Sequence, residues 1–139
     1  MASDDEQRLS AGQGFPAGGV FKAAVDAVVV MSGDGVVRDW NPAAERLFGH
    51  LHADAVGREL AELIIPHALR DRHRLALDRY VSTRKATIID RRLELFALRA
   101  NGSLVPVELT VTVVPDSDPV LFAGFVRNQS ARDDGATRT

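Results

Sequence analysis

Residues 27–49 read AVVVMSGDGVVRDWNPAAERLFG, and the order of signals within them decides the fold. Ala27 to Met31 is a short apolar run rich in β-branched residues, and a second, VVRDW, spans residues 36–40. Asp34-Gly35 between two such runs predicts a hairpin, because both central positions of the favoured two-residue turn need positive φ. The segment NPAAERLFG follows at once with helix punctuation at both ends. Asn41 is suited to cap the helix, a contribution of about 1 kcal/mol. Pro42 suits the first helical position, and Gly49 suits a left-handed stop. Leu47 and Phe48 are expected to face inward.

Working outward, residues 53–66 suggest two short helical pieces broken at Gly57 and ended at Pro66. A longer amphipathic helix is expected from about His67 to Ser82. Three strand-like segments come next, at residues 85–99, 103–115 and 120–128. Asn101-Gly102 marks the hairpin between the first two. In the second, Val105, Val107, Leu109, Val111 and Val113 alternate with Pro106, Glu108, Thr110 and Thr112, giving one dry and one wetter face. Hairpins at both ends of the chain imply an α+β domain with a five-stranded antiparallel sheet and helices grouped on one face. Residues 1–19 read as a flexible arm with a short helix near Asp4 to Leu9, residues 20–130 as the domain, and residues 131–139 as a tail or linker. AVVVM and VLFAGFV are apolar at consecutive positions, so both faces of those strands need cover. The helices supply one side. The other side must meet the N-terminal segment or a second copy of the chain.

Composition narrows the function classes. A chain of 139 residues with net charge −2 has no global attraction to nucleic acid or to a membrane surface. Eight basic and three acidic residues between Arg70 and Arg92 make that segment locally cationic, however. It suits a solvated face, or a seat for an anionic ligand group. The chain has no cysteine, which removes disulfides, thiolate metal sites and cysteine nucleophiles. No apolar run approaches the ~20 residues of a membrane span, and the polar start MASDDEQRLS is unlike a secretory signal. A cytoplasmic location is the expectation.

The long helix carries the candidate site. In LRDRHRLALDRYV, residues 69–81, Leu69, Ala76, Leu77, Tyr80 and Val81 recur at spacings of three and four, and His73 falls on the same face. Arg70, Arg72, Arg74, Asp78 and Arg79 take the other side. An imidazole on an apolar stripe is either a core group hydrogen-bonded to a backbone carbonyl or a metal or haem ligand, and periodicity by itself favours the first. His67, His50 and His52 are weaker candidates. A small cavity enzyme using Asp26 or Asp90 is a remote alternative, since neither aspartate has a nucleophile or base at suggestive spacing.

Four stretches together resemble the PAS sensory domain family: VVVMSGDGVVRDWNPAAERLFGH, AVGRELAELIIP, ALRANGSLVPVELTVT and FAGFVRNQSAR. The resemblance spans about residues 20–132. It implies a strand order of 2-1-5-4-3, a long helix beside a ligand cavity, and a sensory and dimerisation role rather than catalysis. The cysteine-dependent photosensors of the family are chemically unavailable to this chain. Residues 64–90, IIPHALRDRHRLALDRYVSTRKATIID, resemble without a gap the ligand helix and following loop of the haem-PAS oxygen-sensor kinases.

That likeness places His73 at the proximal haem ligand and Ile88, Leu109 and Val111 at distal apolar positions. Leu69 and Leu77 are further expected neighbours of the cavity. Leu93 stands where those sensors have an oxygen-contacting arginine, a departure that a register shift toward Arg91 or Arg92 would repair. The implied cofactor is haem b, with cationic partners for its propionates drawn from the basic segment. The alternative is a PAS module for protein–protein interaction without cofactor. Asn128, Gln129 and Ser130 replace the motif that couples the last strand to an output helix, so coupling through a carboxylate at 128 is lost. The expected partners are a second copy in a parallel homodimer, formed through the outer sheet face and residues ~15–26, and an output domain beyond Thr139 or on another protein.

Overall fold

The computed structural model describes residues 26–85 and 89–130. The expected N-terminal arm, residues 15–25 of the expected dimer contact, Ile88 and the tail after Ser130 lie outside the described residues. The strands are β1 (Ala27–Ser32), β2 (Val37–Trp40), β3 (Arg92–Leu98), β4 (Leu104–Val113) and β5 (Leu121–Asn128). Between β2 and β3 come α1 (Pro42–Phe48), α2 (His52–Ala55), α3 (Leu60–Ile64), a 3-10 turn (His67–Leu69) and α4 (Arg70–Thr83). The sheet is antiparallel throughout with order β2-β1-β5-β4-β3, the order the family resemblance implies.

Both hairpin signals mark real turns, but of a different kind from the expected two-residue one. Only the glycines take positive φ, +86° at Gly35 and +89° at Gly102, while Asp34 and Asn101 do not. Gly35 N–H donates to Ser32 C=O and Ser32 N–H to Val36 C=O; Gly102 N–H donates to Arg99 C=O and Arg99 N–H to Ser103 C=O. Each is a turn closed by a left-handed glycine, the longer hairpin that adds one residue and a bulge. Asp34 and Asn101 contribute through their side chains instead, accepting from the Val36 and Ser103 N–H groups two residues on. Among the described residues of the segment expected as strand from 85, the strand begins at Arg92. Asp90 turns left-handed at φ +63° just before it, and only a single parallel bridge joins Ile89 to Val111.

The inner sheet face and α1 to α3 enclose the main core around Trp40, Phe48, Leu63, Val105 and Val107, all essentially inaccessible. Asn41 sits at its centre. Its Oδ1 accepts from Ala44 N–H and from Val28 N–H, both at 2.9 Å, and its Nδ2 donates to Asp26 C=O at 3.1 Å. The residue therefore ties α1 to β1 as well as capping the helix. On the outer face an ionic chain crosses the sheet. Arg92 pairs with the buried Glu108 at 2.7 Å, and Arg127 reaches Glu108 at 3.9 Å and Asp26 at 3.3 Å. Phe96, Leu104 and Phe125 are exposed apolar residues of β3, β4 and β5.

Candidate functional site

Helix α4 begins where the 3-10 turn ends, lies over the inner sheet face, and buries none of its own residues. Its underside looks into a cavity of about 700 Å³. That volume is within the ~300–1,000 Å³ range of small-molecule sites. Met31, Leu109, Val111 and Phe122 form the sheet wall; His73, Leu77 and Tyr80 face them from the helix. The Tyr80 and Phe122 rings meet edge to face with centroids 5.3 Å apart, closing one end.

The inward phase expected of His73 is what the structure has. Its Nε2 is sealed from solvent and has no hydrogen-bond partner among the described residues. The carbonyl partner expected of a core histidine is therefore missing at this nitrogen. Burial holds the His73 pKa below its ordinary value; the Glu59 carboxylate opposes that shift and Arg74 adds to it. The imidazole is thus neutral at pH 7; its residue lines the cavity, while its Nε2 is covered by protein and unpaired. The other histidines are engaged elsewhere: His50 Nε2 with Leu63 C=O, His52 Nε2 with Asp39, and His67 Nδ1 with Arg70.

Of the remaining expected site residues, Leu77, Leu109 and Val111 line the cavity. Leu69 does not, and is 41% exposed. It belongs to the 3-10 turn, whose tighter winding takes it out of phase with the α-helical stripe that follows. Leu93 pairs with Leu109 across the ladder but stands outside the cavity lining, which Leu95 joins instead. A register shift does not bring an arginine inward. Arg92 Nε is held by Glu108 on the opposite face, and Arg91 is exposed and likewise outside the lining. Ile89 lines the cavity beside the position expected for Ile88. Neither Asp26, paired with Arg127, nor Asp90, exposed in its turn, reaches it.

Sequence reasoning missed two features. Arg74 makes a two-pronged pair with Glu59, at 2.6 and 2.8 Å, that fastens the first half of α4 to the start of α3. That hydrogen bond holds the Glu59 carboxyl below its usual pKa. Arg79, Arg84 and Lys85 line the cavity while remaining exposed, so they stand at its mouth. At the far end of β5, Asn128 keeps a hydrogen-bonding side chain without a carboxylate. Its Oδ1 accepts from Ser130 N–H at 2.8 Å and so caps a helical turn that starts at Gln129. Gln129 is buried and donates to Glu94 at 3.4 Å. Beside it, Arg127 pairs with Asp26 and Glu108 on the outer face.

The residues fit a haem group on three counts. They offer a neutral imidazole with a free nitrogen, apolar walls, and cations at the rim for carboxylates. Among the described residues there is no cluster of three or more His, Asp or Glu that would hold a bare metal ion.

A family model described as PAS fold matches residues 19–128. An uncharacterized protein of Azorhizobium caulinodans is 41% identical over 113 residues, covering 81% of this chain and 15% of its own length. The sensor protein FixL of Bradyrhizobium diazoefficiens is 31% identical over 103 residues, covering 74% of this chain and 20% of that protein. The chain thus spans a fifth or less of these relatives. Among solved structures, the PAS domain of a protein from Colwellia psychrerythraea matches with a TM-score of 0.66 at 21% identity, covering 81% of this chain and 93% of that one.

Proposed function

The chain belongs to the PAS fold family, and on that premise we propose that it is a sensory domain holding haem b beneath α4, with His73 Nε2 as the axial ligand of the iron. The observation that carries this reading is a neutral His73 that lines an apolar cavity and has a buried, unpaired Nε2. A buried nitrogen without a partner costs about 1–3 kcal/mol, and a ligand that accepts its lone pair recovers that loss. Bound haem supplies an iron site that takes diatomic gases or changes oxidation state. Met31, Leu109, Val111 and Phe122 give that site an apolar wall. Leu93 and the outward Arg92 leave the sheet wall without a cationic donor, so the pocket favours ligands that need no hydrogen bond over dioxygen.

The test is titration of the protein with haemin. One equivalent is expected to give a Soret band that His73→Ala loses while the circular dichroism of the fold is kept. A wild-type chain that takes up no haemin, or a variant with unchanged ligation, overturns the assignment.

The proposal extends to assembly. PAS domains of sensor kinases usually pair and pass their state to an output domain. Phe96, Leu104 and Phe125 give the outer sheet face here the apolar character of a contact surface. We assign the parallel homodimer to this face, with Asn128 to Ser130 leading toward the output. Sedimentation at micromolar concentration is expected to report a dimer, and Phe96→Glu with Phe125→Glu a monomer. A wild-type monomer refutes it.

A further inference from the structure

We infer that Arg79, Arg84 and Lys85 form a carboxylate seat at the cavity mouth, so that the site selects apolar molecules ending in a carboxylate. All three line the cavity and all three are exposed, which places their charges where the apolar interior opens to water. None has an ion-pair partner among the described residues, whereas Arg38, Arg74, Arg92 and Arg127 are each paired with acidic groups. Among the described residues, no aspartate or glutamate lines the cavity.

Arg84 is fixed in place rather than free. It caps α4 in the left-handed region at φ 60°, its N–H bonded to Tyr80 C=O at 2.7 Å, and its guanidinium lies 5.8 Å from the centre of the Tyr80 ring. Tyr80 itself packs on Phe122 inside the cavity, so the same contact joins the cationic rim to the apolar wall. Unpaired cations over an apolar chamber suit a ligand with one charged end and a hydrocarbon body.

Two sources share this chemistry: the propionates of haem, and a straight-chain monocarboxylic acid. The inference does not require that haem binds. With the full chain, two pairs of probes separate the sources: haemin against its dimethyl ester, and dodecanoate against 1-dodecanol. Each pair differs in its carboxylates and little else. At least one acid is expected to bind about tenfold or more tightly than its neutral partner. Replacing Arg79→Gln, Arg84→Gln and Lys85→Gln together is expected to remove that preference and leave the neutral partner within about twofold. The exposed positions keep the melting temperature as a control, and Arg79→Lys with Arg84→Lys is expected to retain the preference.

A preference confined to haemin assigns the seat to haem propionates. A preference confined to dodecanoate supports the seat while defeating the haem reading if haemin fails to bind. Equal binding of acid and neutral forms, no binding of either acid, or a preference that survives the triple replacement overturns the inference.

Discussion

Replacing Asn41 with alanine is expected to cost far more than a helix cap. As a cap alone, its loss is worth about 1 kcal/mol. The structure adds a second obligation, because the same Oδ1 also accepts from Val28 N–H in the middle of the sheet. Asn41 is fully buried and Val28 nearly so, so alanine leaves that donor dry and without a partner. A stranded buried donor costs about 1–3 kcal/mol. The expected loss is therefore roughly 2–4 kcal/mol. For a domain of about 100 residues this is a drop of roughly 10–25 °C in melting temperature. Urea titration followed by circular dichroism measures it as a lower midpoint at unchanged slope. Asn41→Ser, which keeps an acceptor for the helix but lacks the reach, should fall between. A loss of 1 kcal/mol or less for Asn41→Ala refutes the cross-tie, and a protein that melts normally yet no longer takes up haemin refutes the structural role.

His73→Leu is expected to raise the stability of the ligand-free protein by about 1 kcal/mol by removing an unpaired buried nitrogen, while abolishing haemin uptake; a loss of more than 1 kcal/mol would reveal a partner for Nε2. Stability should depend on pH in two stages. The lowered His73 pKa means the unfolded chain binds the proton more readily, so stability is full above about pH 6.5 and declines as pH falls below it, a slope that His73→Leu removes. The lowered Glu59 pKa adds stability that is present above about pH 4.5 and lost as pH falls through its folded value, and Glu59→Gln removes that second slope. Gly102→Ala forces a side chain into φ +89° and should cost about 1–2 kcal/mol with haemin uptake unchanged; a neutral result in thermal melts would show that the turn relaxes.

The fold was legible because its signals are local. Asn41, Pro42 and Gly49 act within a few residues of one another and bound α1 as expected. The alternation from Val105 to Val113 set the inner face of β4, and the spacing of Leu77 and Tyr80 oriented His73. Failures came where a short departure from regularity shifted the phase, as at Leu69 in its 3-10 turn and at Asp90 before β3. The site was half legible. The basic segment was visible as a count, but only the fold separates Arg74, spent on Glu59, and Arg92, spent on Glu108, from the cations left at the mouth. The link from Arg127 to Asp26 joins residues 101 positions apart, and no periodicity encodes such a pairing.

Helix α4 has fourteen residues, none of them fully buried. A helix that short is marginal by itself and ordinarily draws its stability from what it packs against. Here much of its underside packs against an opening. Its amides therefore exchange with heavy water through a local opening that needs far less free energy than unfolding the sheet, and the two rates part company under native conditions. A guest that fills the chamber stabilises only the closed form, so each tenfold excess over its dissociation constant slows exchange in α4 about tenfold and leaves the strands unchanged. For the bound form we propose, occupancy would then be written in the residual motion of one helix, read as slowed exchange in α4 with the strand amides unchanged.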